Sequence, residues 1–210
     1  MQIALIERGC LLYLVQMKSL QLTKPHMLVA VGLPGSGKTF FAERFSDTFN
    51  TPYVDYGYYS RVTDDANSGS ELAEHTINLL VRTEQTIILE GRGSTKAERK
   101  SMVEAAAKKG YAMLFVWVQT EPGTAEQRAV YTKGATISQS QFDKQAAAFE
   151  NLVSGEQFVV ISGKHTFPSQ AKTVLKRLVT ERPTTVPKPK ITATRPPAPT
   201  SRVRGRINVG

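Results

Sequence analysis

The chain has 210 residues, 40% of them hydrophobic, which is enough for one buried core with additional segments at its ends. Its 27 lysines and arginines outnumber its 18 acidic residues and give a net charge of +9. The single cysteine excludes an internal disulfide, and the sequence has no apolar run of membrane-spanning length, so we expect a soluble, cytoplasmic protein with no membrane partner.

Residues 1–26 are expected to form an N-terminal extension. Short apolar runs at residues 3–6 and 11–15 are separated by Glu7 and Arg8, and no cleavage site of small residues follows. The pattern therefore does not indicate a signal peptide. Met17 is a second candidate start, which would make residues 1–16 dispensable for the fold.

The apolar run at residues 27–31 predicts a first strand, and the next eight residues read GLPGSGKT. They match the Walker A pattern G-x-x-x-x-G-K-[ST] at every fixed position. Phe41, Phe45 and Phe49 then follow at helical spacing. This strand, loop and helix predict a site for the phosphates of a nucleoside triphosphate.

The chemistry of the loop accounts for its residue types. Glycines allow backbone N–H groups to approach phosphate oxygens, and the following helix directs its positive end at the same anion. Lys38 can neutralise charge between the β- and γ-phosphates, and the Thr39 hydroxyl can bind Mg²⁺. ATP and Mg²⁺ are the expected cofactors. The predicted nucleotide-binding residues are Gly32, Leu33, Pro34, Gly35, Ser36, Gly37, Lys38, Thr39 and Phe40.

Apolar runs continue to alternate with amphipathic stretches beyond the loop. Four further strands are predicted at residues 52–55, 86–90, 111–118 and 158–161. This alternation is typical of an α/β protein with a five-stranded parallel sheet covered by helices on both faces. We predict the three-layer fold of P-loop NTPases over residues 27–180.

Helix starts are indicated by capping signals. Ser68, Thr95 and Ser138 are each followed three residues later by Glu or Gln, the spacing of a capping box. The last helix is predicted to begin near Pro168. Residues 56–61, rich in tyrosine, are expected to be an irregular segment that recognises something other than the nucleotide.

Two acidic residues follow predicted strands at the edge where such sheets bind ligands. Asp55 is a candidate general base that would take the proton of an acceptor hydroxyl, or alternatively a helix cap. Glu90 is a candidate Mg²⁺ ligand, but it could also act as a base or pair with Arg92.

Three arginines are candidate stabilisers of the phosphate charge: Arg92, Arg99 and Arg128. Lys133 and Lys164 are weaker candidates. His26, His75 and His165 are scattered in the sequence and suggest no metal site.

Residues 181–210 contain seven basic residues and Glu181 alone, a net charge of +6, together with six of the 11 prolines. The segment has few large apolar residues, so it cannot bury enough surface to offset the conformational entropy lost when a chain becomes ordered. A disordered tail is therefore predicted. One interpretation is a polybasic arm for nucleic acid, and the other is a solubilising end without a specific partner.

Residues 31–39, Asp55 and the stretch 91–99 resemble the P-loop kinases related to polynucleotide kinase, chloramphenicol phosphotransferase and zeta toxin. Residues 116–120 with 126–128 are similar to the entry of that family's small helical lid, and residues 141–150 to its exit. The resemblance implies ATP with Mg²⁺, transfer of the γ-phosphate to an acceptor hydroxyl and a lid at about 121–150. It further implies that Lys38 and Thr39 serve phosphates and metal, that Asp55 is the base and that Arg128 is a lid arginine.

The chain departs from that family at two positions. Lys133 stands where many relatives have a second lid arginine, and Glu90 stands where many have Asp. The leading hypothesis is an ATP-dependent kinase whose hydroxyl acceptor, a nucleic-acid 5′ end or a small molecule, is not identified by the sequence. The alternative is a nucleic-acid-associated NTP-binding protein or ATPase that uses the basic tail and lacks kinase activity.

Overall fold

The computed structural model describes residues 20, 22–63, 65–135 and 137–180. The predicted tail at 181–210 and most of the predicted N-terminal extension lie outside the described residues. Five strands form one sheet in the order β2-β3-β1-β4-β5, and all neighbouring strands are parallel, which confirms the predicted fold class. The strands are β1 His26–Val31, β2 Tyr53–Asp55, β3 Ile87–Glu90, β4 Ala112–Gln119 and β5 Phe158–Ser162.

Helices connect the strands and cover both faces of the sheet. They are α1 Lys38–Phe49, α2 Tyr56–Val62, α3 Ala66–Val81, α4 Lys96–Lys108, α5 Pro122–Glu126 with a π-helical continuation Gln127–Tyr131, α6 Gln139–Ala148 and α7 Phe167–Thr180. Within the described residues, no helix combines the length and the apolar character needed to cross a membrane.

Two of the three predicted capping signals are confirmed. Thr95 accepts a hydrogen bond from the Glu98 N–H at the start of α4, and Ser138 forms a complete capping box with Gln141 at the start of α6. The third prediction was wrong, because α3 begins earlier. There the side chain of Asp65 caps the helix and accepts from the Ser68 N–H at 2.8 Å.

The expectation of an irregular segment at residues 56–61 was also wrong, since these residues form α2. Its first residue, Tyr56, is buried. Asp55 ends β2 and caps α2 by accepting a hydrogen bond from the Gly57 N–H at 2.8 Å. The strand therefore passes directly into the helix, and this fixes the side chain of Asp55 at the carboxyl edge of the sheet.

The core lies in two layers because successive residues of a strand face opposite sides of the sheet. In β1, Val29 packs against the layer beneath α3 and α4, whereas Leu28 packs against the layer beneath α1 and α7. Two large apolar residues of the covering helices lie outside this core: Leu72 of α3 is 42% exposed and Val103 of α4 is 41% exposed.

Arg99 is an unexpected core residue, only 1% exposed. Its Nε donates to Glu156 Oε1 at 2.6 Å, and its Nη1 donates to the carbonyls of Gly93 and Glu150 at 3.2 and 2.9 Å. The third guanidinium nitrogen donates to Glu156 and to the Asn151 carbonyl. Arg99 thus ties α4 to the segment that leads from α6 into β5, and its donors are taken up by protein groups.

Candidate active site

The phosphate loop joins β1 to α1 at the carboxyl edge of the sheet. Gly37 caps α1 in the left-handed conformation, with a φ of 102°, so that the twelve-residue helix starts directly beneath the loop. Its first residue, Lys38, folds back and donates from Nζ to the Leu33 carbonyl at 2.9 Å. The hydroxyl of Ser36 is fully buried, and within the described residues no protein group forms a hydrogen bond with it.

Later segments of the chain hold this loop from outside. A Cβ atom at Gly35 would collide with the Ala125 carbonyl of α5, and one at Gly163 would collide with the Ser36 carbonyl. The hydroxyl of Thr120 also donates to the Ser36 carbonyl, at 3.0 Å. The two glycines are therefore required by close backbone contact, and these contacts fix the shape of the loop.

Glu90 lies at the end of β3 with only 7% exposure, and two hydroxyls donate to its carboxylate. Thr39 Oγ1 donates to Oε1 at 2.8 Å, and the Tyr53 hydroxyl donates to Oε2 at 2.7 Å. Burial raises the pKa of Glu90, while these hydrogen bonds and the nearby Lys38 ammonium act in the opposite direction. The contact of Tyr53 with Glu90 could not be predicted, because it joins residues that lie 37 positions apart in the sequence.

Lys38 faces the same carboxylates. Burial lowers its pKa, and the negative charges of Glu90 and Asp55 partly counter this effect. An anion such as a phosphate would add a favourable partner for the ammonium group. The loop is therefore prepared for a negatively charged ligand.

The side chains of Thr39 and Glu90 fit a hard divalent cation such as Mg²⁺. They present hydroxyl and carboxylate oxygens, which Mg²⁺ prefers, and they already lie in direct contact. Mg²⁺ commonly uses one or two protein oxygens and takes its other ligands from water and phosphates. Clusters of three or more His, Cys, Asp or Glu that could hold a metal are absent from the part of the chain that the structure describes.

Asp55 lies next to Glu90 across the sheet, because the two residues are register partners of β2 and β3. Its Oδ1 caps α2, as described above, and its Oδ2 lies 3.6 Å from the Arg61 guanidinium. The side chain of Asp55 is 21% exposed. Oδ2 therefore faces outward at the edge of the sheet and has lone pairs available for a hydroxyl.

Arg92, in the loop after β3, is the centre of a group that we call the Arg92 cluster: Tyr56, Glu74, Arg92 and Glu98. The guanidinium donates from Nε to Glu98 at 2.8 Å and from Nη1 to Glu74 at 3.1 Å. It also lies over the Tyr56 ring, 5.2 Å from the centroid, and the Tyr56 hydroxyl donates to Glu74 at 2.7 Å. Sequence reasoning named Arg92 but missed Tyr56 and Glu74 as its partners, since both are distant along the chain.

The remaining predicted residues lie on other sides of the loop. Arg128, in the π-helical turn, donates to the Gly163 carbonyl at 3.3 Å and thus lies beside β5, across the loop from Asp55. Phe40 is half exposed on the first turn of α1, under the Arg44 guanidinium. Lys164 pairs with Glu121 at 3.4 Å, and Lys133 is exposed.

Two cavities adjoin the loop beneath α6. The smaller, of about 160 Å³, has Lys38 and Gly32 on one wall, Arg92 on another and α6 residues including Gln145 above it. The larger, of about 570 Å³, lies over the carboxyl ends of β4 and β5. Its lining includes Leu33, Trp117, Thr120, Phe149 and Lys164. Phe149 borders both cavities, which places them side by side beneath α6.

Comparison with known families agrees with this geometry. Residues 27–152, more than half of the chain, match the sequence model of a family described as AAA domain. This range begins in β1 and includes the phosphate loop, Asp55, Glu90 and α6. No curated protein matches the chain in sequence.

Many solved structures share the fold. A sugar kinase from Janibacter sp. HTCC2649 has a TM-score of 0.58 and 15% identity, with 74% of this chain and 95% of that chain covered. A gluconokinase from Sinorhizobium meliloti 1021 has a TM-score of 0.56 and 15% identity, with 74% and 93% covered. The Mycobacterium tuberculosis APS kinase, solved with AMPPNP and APS, has a TM-score of 0.55 and 14% identity, with 74% and 98% covered. The fold is therefore that of small P-loop kinases.

Proposed function

The chain belongs to the AAA domain family, and on that premise we propose that it is an ATP-dependent phosphotransferase with a hydroxyl acceptor. One observation carries the proposal: Lys38, Thr39, Asp55 and Glu90 meet at the carboxyl edge of the sheet, beside a cavity. These are the groups that phosphoryl transfer requires for phosphate, metal and hydroxyl. The neighbours described as kinases of sugars and of APS support a small-molecule acceptor.

Each residue has a defined task in the proposed reaction. The backbone of residues 32–39 and the Lys38 ammonium bind the ATP phosphates and stabilise their negative charge. Thr39 and Glu90 would hold Mg²⁺, which when bound screens the charge of the β- and γ-phosphates. Asp55 orients the acceptor hydroxyl and takes its proton. The acceptor oxygen forms a bond to the γ-phosphorus, the bond from that phosphorus to the bridging oxygen breaks, and ADP leaves.

We further propose the domain organisation that the sequence suggested, with a kinase domain at residues 27–180 and a lid at about 121–150. In the structure this range consists of α5, its π-helical continuation and α6. Arg128 would approach the nucleotide from the lid side, because it already contacts the Gly163 carbonyl beside the loop. The narrower resemblance to polynucleotide kinase, chloramphenicol phosphotransferase and zeta toxin is kept as part of this proposal.

The test is transfer from γ-labelled ATP in the presence of Mg²⁺ to a panel of hydroxyl acceptors. We expect label on at least one acceptor with the native protein. Lys38→Ala should weaken ATP binding and lose transfer, whereas Asp55→Ala should bind ATP normally and lose transfer. The matched control is Asp47→Ala, because Asp47 is an exposed aspartate on α1. This change should leave transfer unchanged.

Full transfer activity in Asp55→Ala would remove the proposed base, and ATP binding without transfer to any acceptor would contradict the phosphotransferase itself. The alternative of a nucleic-acid-associated ATPase depends on the tail, which lies outside the described residues. The comparisons give no support for a nucleic-acid partner.

A further inference from the structure

We propose that the acceptor is a small, uncharged polyhydroxy compound and that the Arg92 cluster selects it; this inference rests on the phosphotransferase activity proposed above. The reacting hydroxyl must lie within reach of both Lys38 and Asp55. The 160 Å³ cavity is lined by Lys38, by Arg92 and by residues of α6, and we place the acceptor there. The cavity is small and partly lined by polar groups, which suits a small polar molecule.

The charges of the Arg92 cluster are already paired with one another. Glu98 accepts from Arg92 with Oε1 and from the Ser94 N–H with Oε2, and Glu74 accepts from both Arg92 and Tyr56. The two carboxylates outweigh the single guanidinium, so an anionic acceptor would meet a cluster with a net negative charge. A cationic acceptor would meet the Arg92 guanidinium, which is the member of the cluster that borders the cavity. The wall of the cavity therefore favours an acceptor without charge.

The surrounding charges also disfavour a polyanion. The described contacts connect four carboxylates at this edge, those of Asp55, Glu74, Glu90 and Glu98, with three cations, those of Lys38, Arg61 and Arg92. Grooves that bind single-stranded nucleic acid carry an excess of positive charge along the backbone path. The phosphates of a 5′-hydroxyl oligonucleotide would meet an excess of negative charge here.

Neutral polar groups complete the cavity. Ser94 and Gln145 belong to its lining, and their side chains offer a hydroxyl and an amide. These groups both donate and accept hydrogen bonds, as sugar-type hydroxyls do, and Phe149 adds an apolar part to the lining. Hydroxyl groups on several carbons of one acceptor can thus be recognised at the same time.

The experiment compares uncharged with anionic acceptors, with γ-labelled ATP and Mg²⁺. Sorbitol, ribitol and glycerol are the uncharged probes; gluconate, sorbitol 6-phosphate and a 5′-hydroxyl oligonucleotide are the anionic ones. We expect kcat/KM for at least one uncharged probe to exceed that of every anionic probe by at least tenfold. In the double variant Glu74→Gln with Glu98→Gln, the freed guanidinium should reduce this ratio at least tenfold. Glu104→Gln, an exposed change on the same helix as Glu98, is the matched control and should leave the ratio unchanged.

The outcomes separate this inference from the proposed function. Preferred transfer to gluconate, sorbitol 6-phosphate or the oligonucleotide overturns the inference and leaves the phosphotransferase intact. ATP binding that depends on Lys38, without transfer to any probe, overturns both. If thermal unfolding shows that the double variant does not fold, the ratio measured on the native protein decides the question alone.

Discussion

The ammonium group of Lys38 is buried in the phosphate loop, where burial lowers its pKa and its carboxylate neighbours only partly compensate. Lys38→Met would remove the free-energy cost of burying this charge. It would also remove one hydrogen bond to a carbonyl, which contributes roughly 0.5–1.5 kcal/mol to stability. We expect the free energy of unfolding to change by no more than about 1 kcal/mol, measured by denaturant titration. ATP affinity should fall by roughly 10–100-fold, because charge-assisted bonds to phosphate are lost. A large loss of stability would show that the lysine serves the fold and not the ligand.

Tyr53 supports the site through Glu90 and is a positioning residue. Tyr53→Phe removes the hydroxyl that holds Glu90 Oε2, so the carboxylate can rotate away from Thr39. We expect the Mg²⁺ concentration for half-maximal nucleotide binding to rise roughly 10–100-fold, with unchanged affinity for nucleotide in the absence of Mg²⁺. Equilibrium binding at several Mg²⁺ concentrations measures both quantities. Tyr58→Phe, which alters an exposed tyrosine, is the matched control, and an equal shift in both variants would argue against the assignment.

At the scale of the elements, the ion pair of Arg99 with Glu156 joins α4 to the segment before β5. The guanidinium holds the pKa of Glu156 below its usual value, so the charged carboxylate stabilises the folded state. This contribution is present above the unfolded pKa of about 4.5 and is lost as the pH falls through the lower pKa of the folded state.

Glu156→Gln should therefore lower the free energy of unfolding by roughly 2–3 kcal/mol at pH 7, since it leaves a buried cation with a weaker partner. The difference from the native protein should shrink as the pH falls below about 4.5. Denaturant titration across this pH range measures it, with Glu104→Gln as an exposed control. A difference independent of pH would mean that packing, and not charge, is responsible.

Elements with strong local signals were predictable from the sequence. The buried strands are continuous apolar runs, and Thr95 and Ser138 stand directly before the helices that they cap. Helix α2 was missed because its seven residues are largely polar and aromatic, and its support comes from Asp55 and from packing on α3. The start of α3 was misplaced because Asp65 and Ser68 both suit a cap, and the structure selects the earlier one.

In the site, too, the residues that belong to local sequence patterns were predictable. The loop and both strand-end acids follow from local patterns, so Lys38, Asp55 and Glu90 could be named in advance. The partners that orient them could not, since Tyr53 lies 37 residues from Glu90 and Arg99 lies 57 residues from Glu156. Such pairs depend on the strand order and on which turn of a helix packs against which loop. A local sequence pattern contains neither.

At the scale of the whole molecule, the helical segment above the loop has a small core separate from the two main layers. Its buried residues are Ala125, Ala129 and Phe142, and Leu33 of the phosphate loop packs against them. Phe142→Ala should lower stability by roughly 3–5 kcal/mol, which is more than the packing of so small a cluster contributes. We expect amide hydrogen exchange to accelerate in residues 122–148 and to stay unchanged in the sheet.

The matched change Phe45→Ala lies in a main layer and should accelerate exchange throughout the sheet. Uniform acceleration in Phe142→Ala as well would show that the helical segment and the sheet unfold as one unit. That result would contradict a lid that opens independently.

The contacts of Gly35 with Ala125 and of Gly163 with Ser36 also bear on the order in which the protein is made. A ribosome produces residues 32–39 early, but the segments that press against them from outside come about 90 and 130 positions later. The phosphate loop therefore acquires its final neighbours only after β5 has emerged. Nascent chains arrested before residue 163 should accordingly bind nucleotide poorly, even though they already contain the whole Walker A sequence.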